Sequence, residues 1–223
     1  MNLFKRAIFF TDVHFGLKSN SRLHNQDCLN FVDFVIKTGK EQNCETCVFL
    51  GDWHNNRASL QIGTLNYSVQ AIDKLSAAFD QIIFIPGNHD EHYRDTREMN
   101  SVVWAKKYDN VRIFDEITTV DDVCITPWLV GDEHKQIKKI EAKYMFGHFE
   151  LPSFYMNAMV QMPDVGDLRR DDLKCETVFT GHFHKRQTNK NITYIGNAFP
   201  HNYADVGDDD RGCMILDWGK DPV

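Results

Sequence analysis

The stretch IIFIPGNHD, residues 82–90, joins a short apolar run to an abrupt change into Gly, Asn, His and Asp. The apolar part, residues 82–85, is typical of a strand that is covered on both faces. Pro86 and Gly87 end the run, and polar side chains follow immediately. Ligands of α/β sheets bind at the carboxyl ends of the strands. The stretch therefore predicts a buried strand with a binding site at its end.

Four further apolar runs stop in the same way, at residues 7–11, 46–50, 144–146 and 177–180. Counting Asn88 of the first stretch, the polar residues that follow the five runs are Asp12, His14, Asp52, Asn88, His148, His182 and His184. Glycine precedes the polar residue in most of these places, and glycine lets a backbone turn sharply beside a ligand. We expect the polar side chains to share one edge of the sheet structure.

The order of elements predicts the fold class. Apolar residues recur at helical spacing in residues 26–42 and 65–79, which predicts two amphipathic helices between the first three strands. Less helix separates the later strands, predicted at 123–126, 192–195 and 214–216, and residues 111–128 resemble adjacent hairpin strands, which favours antiparallel additions. The pattern predicts an α/β fold, a layered β-sandwich flanked by helices. Without repeats or linkers, residues 1–223 are expected to form a single domain.

Charge and composition exclude several functions. The chain has 32 acidic and 25 basic residues and a formal net charge of −7, which argues against coating duplex nucleic acid through a broad basic face. A nuclease is not excluded, because catalytic carboxylates add to the acidic count and bound cations offset them. No apolar run is long enough for a membrane span and no signal peptide is present, so we expect a cytoplasmic protein without a membrane partner. The six cysteines, including the pair Cys44 and Cys47, are expected to be reduced structural thiols.

Carboxylate, imidazole and amide oxygen donors together suit Mn²⁺, Fe²⁺ or Zn²⁺. Seven donors are too many for one ion, whereas two ions that share a carboxylate would use them all, as in the two-metal sites of phosphoester hydrolases. Each motif alone also occurs in proteins that bind no metal, and a single buried histidine is usually a structural one. The conjunction of five motifs in this order favours the metal site.

These five motifs resemble those of the calcineurin-type metallophosphoesterases, and the resemblance extends from Phe10 to Trp218. Finer similarities lie in VCITPW at 123–128, GHFE at 147–150, YIGN at 194–197 and DRGC at 210–213. These stretches are similar to the SbcD-type nucleases of double-strand-break repair, and most of all to the smaller recombination-nuclease subunits of large tailed phages.

The resemblance implies a role for each motif residue. Asp52 would bridge two divalent ions, Mn²⁺ being favoured over Fe²⁺ or Zn²⁺, and hydroxide activated by the metals would attack phosphorus. One ion would be held by Asp12, His14 and His184, and the other by Asn88, His148 and His182. His89 would bind no metal but stabilise the transition state or protonate the leaving oxygen. Asp90 would orient His89, with a solvated turn carboxylate as the alternative.

Further residues are expected around this centre. The resemblance implies a substrate phosphate contact for His54, although His54 stands one residue nearer Asp52 than is usual, and Arg57 could contact phosphate beside it. Lys185 and Arg186 follow His184 directly and are expected at the rim of the site as substrate-binding residues. The remaining histidines match no motif and are expected on the surface or in loops, namely His24, His92, His134 and His201. Residues 154–160, FYMNAMV, are expected to pack in the core, with a base-stacking or dimer surface as the alternative.

The sequence therefore predicts a two-metal phosphodiesterase, with a DNA exonuclease or endonuclease as the first interpretation. The alternatives are a small-molecule phosphodiesterase, a phosphomonoesterase that acts on nucleotides or phosphoproteins, and a non-catalytic scaffold; the complete set of ligand positions argues against the scaffold. SbcD-type proteins continue into a capping domain and a segment that binds the ATPase SbcC, whereas this sequence stops at the end of the catalytic core. We therefore expect either that the cap and the ATPase-binding segment are missing or that the sequence is a shortened piece of a longer chain, and an SbcC-like partner stays open. The resemblance allows a homodimer, and a phage origin would place the protein in the host cytoplasm.

Overall fold

Two β-sheets pack face to face in the computed structural model, which describes residues 3–218. The first sheet has the strand order β11-β1-β2-β3-β4, with β1 at Arg6–Phe10, β2 at Thr46–Phe49, β3 at Gln81–Phe84, β4 at Val111–Ile113 and β11 at Met214–Asp217. The second has the order β5-β6-β7-β8-β10-β9, with β5 at Thr118–Val120, β6 at Val123–Thr126, β7 at Glu141–His148, β8 at Lys174–Gly181, β9 at Gln187–Asn189 and β10 at Ile192–Tyr194.

Both sheets have a parallel centre and antiparallel edge strands. Strands β1 to β4 run parallel, as do β6, β7, β8 and β10, while β11, β5 and β9 pair antiparallel with their neighbours. The prediction of antiparallel later strands is thus right for these three edges and wrong for the centre of the second sheet. Residues 111–128 are not one hairpin, because β4 joins the first sheet beside β3 and only β5 and β6 form an antiparallel pair.

Two long helices cover the outer face of the first sheet. The helices are α1 at Leu17–Asn20, a single turn, α2 at Arg22–Glu41, α3 at Ile62–Ala78 and α4 at Glu133–Ile137, with short 3₁₀ turns at Val103–Lys107, Arg170–Asp172 and Tyr203–Asp205. Helix α2 begins after Ser21, whose hydroxyl accepts the backbone N–H of His24 and so caps the first turn. Both predicted long helices are confirmed, each starting a few residues earlier than expected.

The core between the sheets is built from aromatic and β-branched side chains of both. Phe9 and Val48 of the first sheet face Phe146 and Phe179 of the second, and the rings of Phe9 and Phe146 lie 5.0 Å apart. Burying each such side chain contributes roughly 1.5–3 kcal/mol. Because the two sheets share this core, the described residues form one domain, and the ends of their parallel strands are held at fixed positions.

The outer face of the second sheet is covered mainly by a long loop rather than by helices. Buried residues of the segment between β7 and β8, including Phe149, Leu151 and Phe154, pack on this face together with Ile137 of α4. The predicted flanking by helices is thus provided by two long helices on the first sheet and by the short α4 together with this loop on the second.

The aromatic and methionine segment at 154–160 lies mostly at the surface. Phe154 is buried, but Tyr155, Met156, Met159 and Val160 are all exposed. The expectation of core packing is right for Phe154 and wrong for the other four. A surface-exposed apolar segment is more typical of a contact site than of a core.

Cysteine placement agrees with the expectation of structural thiols. All six cysteines are unpaired, and four of them are buried. Burial raises the pKa of the Cys28 thiol and that of the Cys47 thiol, so these thiols are protonated packing groups. Within residues 3–218, no helix combines the length and the apolar character that crossing a membrane requires.

Candidate metal centre

The seven predicted ligands converge on one edge of the sandwich. Asp12, Asp52 and Asn88 follow β1, β2 and β3, while His148 ends β7 and His182 follows β8. A cleft of about 310 Å³ opens above these strand ends, and its walls are formed in part by His14, Asp52, His89, His182, His184 and His201. The parallel strands therefore bring together residues that are as far apart in the chain as 12 and 184.

Two glycines allow the loops to approach this closely. A side chain at Gly87 would collide with the carboxylate and the backbone nitrogen of Asp52, and one at Gly181 would collide with the Thr11 hydroxyl and the Leu50 carbonyl. Asp12, Asp52 and His182 all have a positive φ, at 53°, 61° and 91°. Such backbone conformations cost on the order of 1–3 kcal/mol each and concentrate at functional sites.

Asn88, His148 and His182 form one side of the cleft, called here the Asn88 side. His148 Nδ1 lies 2.7 Å from the Leu50 carbonyl, and because a carbonyl only accepts, Nδ1 carries the hydrogen and Nε2 faces Asn88 Oδ1 at 3.1 Å. Burial opposes a charge on His148, but the carboxylate of Asp52 outweighs it and raises the pKa of His148 to about 9.

Glu150 fixes the second imidazole of the Asn88 side. His182 Nε2 donates to Glu150 Oε2 at 3.1 Å, and this bond lowers the pKa of Glu150. His182 Nδ1 then points to Asn88 Oδ1 at 3.0 Å. A carboxylate behind a histidine ring is the usual way to set the orientation and tautomer of a metal ligand. Sequence reasoning assigned Glu150 no role, although it ends the GHFE stretch.

Asp12, His14 and His184 lie on the opposite side, where the donor atoms lack partners. His14 Nε2 is 3.7 Å from Asp12 Oδ1 and 3.6 Å from Asp52 Oδ2, and His184 Nε2 is 4.0 Å from Asp12 Oδ1. Among the described residues, Asp12 Oδ1 and both ring nitrogens of His14 are buried without a hydrogen-bond partner. Buried polar atoms of this kind are rare unless an ion or a water pairs with them.

His201 joins this side: it lies in a loop, as one of the two expected alternatives, but it is buried and not at the surface. It is 3% exposed, and its ring lies 5.2 Å from that of His14 and 5.1 Å from that of His184. We call Asp12, His14, His184 and His201 the Asp12 side. No motif marks His201; its position between YIGN and DRGC was the only signal that could have drawn attention to it.

The donor set fits divalent ions. Three groups each place their ligand atoms within 4.8 Å of one another: His14 with His184 and His201, His14 with Asp52 and His89, and Asp52 with His148 and His182. Asp52 lies between the two sides of the cleft and belongs to two of these groups. A cation would pair with the buried atoms that the protein leaves unpaired, and carboxylates with imidazoles suit Mn²⁺, Fe²⁺ and Zn²⁺ alike.

His89 stands at the mouth of the cleft with one ring nitrogen available. Its backbone N–H donates to Asp52 Oδ1 at 2.8 Å, and its Nδ1 donates to the Asn55 carbonyl at 2.7 Å, so Nε2 is the free nitrogen. The ring lies 4.9 Å from that of His14. Burial lowers the pKa of His89, although the Asp52 carboxylate acts in the opposite direction.

Asp90 organises the backbone rather than the His89 ring, which corrects the sequence expectation. Its carboxylate accepts the N–H groups of Gly87 at 2.9 Å, Trp53 at 3.2 Å and His54 at 3.0 Å, and the side chain is fully buried rather than solvated. Burial raises the pKa of Asp90 to about 6. Asp90 thus joins the loop after β2 to the turn after β3.

His54 does not reach the cleft, and the expected phosphate contact is wrong for this structure. The side chain is fully buried, with Nδ1 at 2.7 Å from the Ser101 hydroxyl and Nε2 at 2.9 Å from the Ser68 hydroxyl. Burial lowers the pKa of His54 to about 3. His24 is buried too, with Nε2 donating to the His14 carbonyl at 3.0 Å, so it supports a ligand loop.

The predicted substrate-binding cations have different surroundings. Arg186 donates to the backbone carbonyls of Ile195 at 2.7 Å and Cys213 at 3.1 Å, so its guanidinium holds the structure together. Lys185 stands 4.9 Å above the ring of Tyr155, at the exposed segment beside the cleft. Arg57 is half-buried, and its carbonyl accepts a hydrogen bond from His92.

Comparison with known proteins places these residues in context. The family described as Calcineurin-like phosphoesterase matches residues 5–186. The chain is also 29% identical over 216 residues to Exonuclease subunit 1 of Enterobacteria phage T4, an alignment that covers 92% of this chain and 62% of that protein. This chain thus spans less than two thirds of the relative's length.

Solved structures were matched as well. A nuclease named MPE from Pseudomonas putida matches with 15% identity and a TM-score of 0.43, covering 81% of this chain and 62% of the other. Yfce, a phosphoesterase from E. coli, matches with 13% identity and a TM-score of 0.45, covering 95% of this chain and 88% of the other.

Proposed function

Because the chain belongs to the calcineurin-like phosphoesterase family and is a metal-dependent hydrolase, we propose that it is a two-metal phosphodiesterase that acts on DNA. The observation that carries the proposal is the convergence of seven carboxylate, amide and imidazole side chains on one cleft. Several of their buried donor atoms lack any partner among the described residues. The relative from phage T4 carries the name exonuclease, which supports DNA as the substrate class.

The two sides of the cleft would each hold one ion. We assign Asp12, His14 and His184 to one ion, Asn88, His148 and His182 to the other, and Asp52 to both. Two such ions supply Lewis-acid charge that polarises a phosphoryl group and makes water nucleophilic at neutral pH. Mn²⁺ is the proposed metal.

His89 would act on the leaving group. Asn55 holds its Nδ1–H, so Nε2 is the nitrogen that can carry a proton to the departing oxygen. The bond from the His89 backbone to Asp52 keeps the imidazole at a constant position relative to the shared carboxylate. Asp90 contributes indirectly, because it fixes the turn that presents Asn88 and His89.

The exposed segment beside the cleft would guide a nucleic-acid strand. Met156 and Asn157 contribute to the cleft wall, and the Met156 carbonyl accepts the backbone N–H of His184. Tyr155 is 42% exposed and lies under the ammonium group of Lys185. An aromatic ring can stack with a base while a cation contacts phosphate, which is how sequence-tolerant strand binding works.

A small phosphodiester is the second candidate. The net charge of −7 and a cleft of about 310 Å³ suit a compact nucleotide better than a long polyanion. Binding that depends on several phosphate contacts weakens steeply with salt, whereas hydrolysis of a small ester should change little.

The test is a paired assay with metal-stripped protein that is reloaded with Mn²⁺. Release of nucleotides from linear single- and double-stranded DNA is measured beside hydrolysis of bis-p-nitrophenyl phosphate. We expect both activities, and we expect His89→Ala to lose both. The matched control is His92→Ala, which removes a half-buried histidine outside the three ligand groups. Cleavage of the small diester without any DNA degradation would leave the metal centre standing and reject DNA as the substrate.

Tyr155→Ala separates the two substrates further. We expect DNA degradation to fall while bis-p-nitrophenyl phosphate hydrolysis stays unchanged, because only DNA is long enough to reach the segment. Tyr93→Ala is the matched control, since Tyr93 is also 42% exposed but lies outside the segment 154–160, two residues of which line the cleft. Equal losses on both substrates would argue against a strand-guiding role.

A partner chain is part of the proposal, because the phage T4 relative is named a subunit. We propose an SbcC-like ATPase or a second copy as that partner, and the host cytoplasm as the site of action if the chain is phage-encoded. Light scattering of the purified protein, alone and with a candidate ATPase, measures the assembly directly.

A further inference from the structure

His201 is a buried imidazole that has no hydrogen-bond partner within the part of the chain that the structure describes. Both ring nitrogens are buried without a hydrogen bond, although the ring forms part of the cleft wall. Its neighbours there are the rings of His14 and His184, and one nitrogen from each of the three lies within 4.8 Å of the others. A buried donor or acceptor left unpaired destabilises the fold, so the arrangement calls for a group that pairs with it.

The backbone around His201 is held by a buried ionic network. The His201 backbone N–H donates to Asp205 Oδ2 at 2.8 Å, and Asp205 Oδ1 lies 3.3 Å from an Arg211 guanidinium nitrogen. Arg211 also donates to the His184 carbonyl at 3.2 Å and to the side chain of Asn197. One buried arginine therefore connects the segment that carries His184 to the segment that carries His201. The orientation of the two rings relative to each other is thus built into the fold.

We propose that His201 is an additional ligand of the ion on the Asp12 side, which gives that ion three imidazole donors. The inference rests on the proposed two-metal centre. Imidazole-rich sites favour Fe²⁺ and Zn²⁺, whereas carboxylate, carbonyl and water donors suit Mn²⁺. The two ions therefore occupy chemically different sites, because the Asn88 side combines two imidazoles with an amide oxygen. His201 shifts the Asp12 side away from Mn²⁺.

The test measures binding of Co²⁺ and Mn²⁺ to metal-stripped protein by calorimetry, with the visible spectrum of bound Co²⁺ as a second readout. The variant His201→Phe keeps the ring shape without nitrogen donors, and His92→Phe is the matched control. We expect the wild type to bind two ions. We expect His201→Phe to bind one of them roughly tenfold more weakly or worse as Co²⁺, with a smaller loss for Mn²⁺ and a changed Co²⁺ spectrum.

A second measurement needs no variant. In the Co²⁺-loaded wild type with ¹⁵N-labelled histidine, NMR counts the imidazole rings that are bonded to the ions. We expect five, from His14, His148, His182, His184 and His201, and a count of four that omits His201 would overturn the inference even if His201→Phe fails to fold. Unchanged Co²⁺ constants and spectrum in a folded variant would overturn it as well. A wild type that binds fewer than two ions would instead refute the proposed function.

Discussion

The two sides of the cleft differ in how the protein satisfies their donor atoms. On the Asn88 side, the Leu50 carbonyl holds one nitrogen of His148, and Glu150 holds one nitrogen of His182. On the Asp12 side, the carboxylate oxygen Asp12 Oδ1 and the ring nitrogens of His14 and His201 are buried, and no residue between 3 and 218 forms a hydrogen bond with them. The two sides therefore differ in whether other protein groups orient the side chains that would bind an ion.

The two sides should therefore differ in how much free energy each gains when it binds an ion. Rings that are already oriented by hydrogen bonds lose little freedom when they bind, so the Asn88 side is preorganised. Each buried atom left unpaired costs about 1–3 kcal/mol, so an ion on the Asp12 side relieves a larger penalty. Metal binding should therefore contribute more to folding stability through the Asp12 side.

The largest effect is expected from substitution of His89, which should lower turnover without changing metal binding on either side. His89→Ala should lower kcat for bis-p-nitrophenyl phosphate by roughly 10²–10⁴-fold, the usual contribution of a general acid. Mn²⁺ stoichiometry and affinity, measured by calorimetry on the same preparation, should not change. Loss of one ion in the variant would show instead that His89 is a ligand, since it belongs to a group with His14 and Asp52.

The difference between the two sides can be tested directly in metal-free protein, by comparing one substitution on each side. His148→Phe leaves the Leu50 carbonyl without its donor and should lower the free energy of unfolding by roughly 1–3 kcal/mol. His201→Phe removes two buried nitrogens that have no partner among residues 3–218, so it relieves their cost and should raise the free energy of unfolding by roughly 1–3 kcal/mol. Urea unfolding in the presence of a chelator measures both. Equal losses in the two variants would mean that the sides are not built differently.

Sequence patterns predicted where the proposed ligands lie because each follows an apolar strand, and strand ends can be recognised from hydrophobicity. The motif residues Asp12, Asp52, Asn88, His148 and His182 all lie at the predicted edge. The pairing of the later strands could not be predicted. The sequence of a short apolar strand does not show which strand lies beside it or whether the two run parallel.

The sequence also could not predict the environment of residues whose partners are brought close only by the tertiary fold. The hydroxyl partners of His54 are 14 and 47 residues away in the chain, so the family resemblance, which could not show these contacts, wrongly placed this residue at the substrate. His201 is positioned by Asp205 and Arg211, which form no motif with the five strand ends. Its burial beside His14, far earlier in the chain, follows from the fold alone.

Glu150 offers a milder test of preorganisation on the Asn88 side. Glu150→Gln removes a charge-assisted bond to His182 and should weaken one ion by roughly 10–100-fold without altering the other. Calorimetric titration with Mn²⁺ resolves the two constants. Glu141→Gln is the control, because Glu141 is exposed at the start of the same strand that His148 ends. An equal loss on both ions would point to a general electrostatic effect and not to the orientation of one ring.

The smallest expected effect is a pH-dependent change in stability due to Glu91. This residue shows a second way to offset the cost of an unpaired buried atom. This side chain is 1% exposed, and its Oε2 has no partner among the described residues 3–218. Its Oε1 lies 3.4 Å from Arg97, which also binds Glu133. Burial raises the pKa of Glu91 to about 7; Arg97 opposes the shift, and Asp90, Asp115 and Glu133 add to it. Protonation of Glu91 removes its buried charge, just as a bound ion would pair with the buried atoms on the Asp12 side.

The sign follows from linkage. Above the folded-state pKa of about 7, Glu91 is ionised in both the folded and the unfolded chain, and the fold carries the cost of the buried charge. Between that value and the ordinary pKa of a glutamate, only the folded chain holds the proton, so stability due to Glu91 increases as the pH falls. From pH 8 to pH 6 the gain is about 1 kcal/mol, or roughly 2–4 °C in Tm. Glu91→Gln lacks this gain, so its Tm relative to the wild type should be higher at pH 8 than at pH 6, measured without metal at constant ionic strength. If the Tm difference is the same at both pH values, Glu91 is not titrating there, and its unpaired oxygen must be satisfied by something other than a proton.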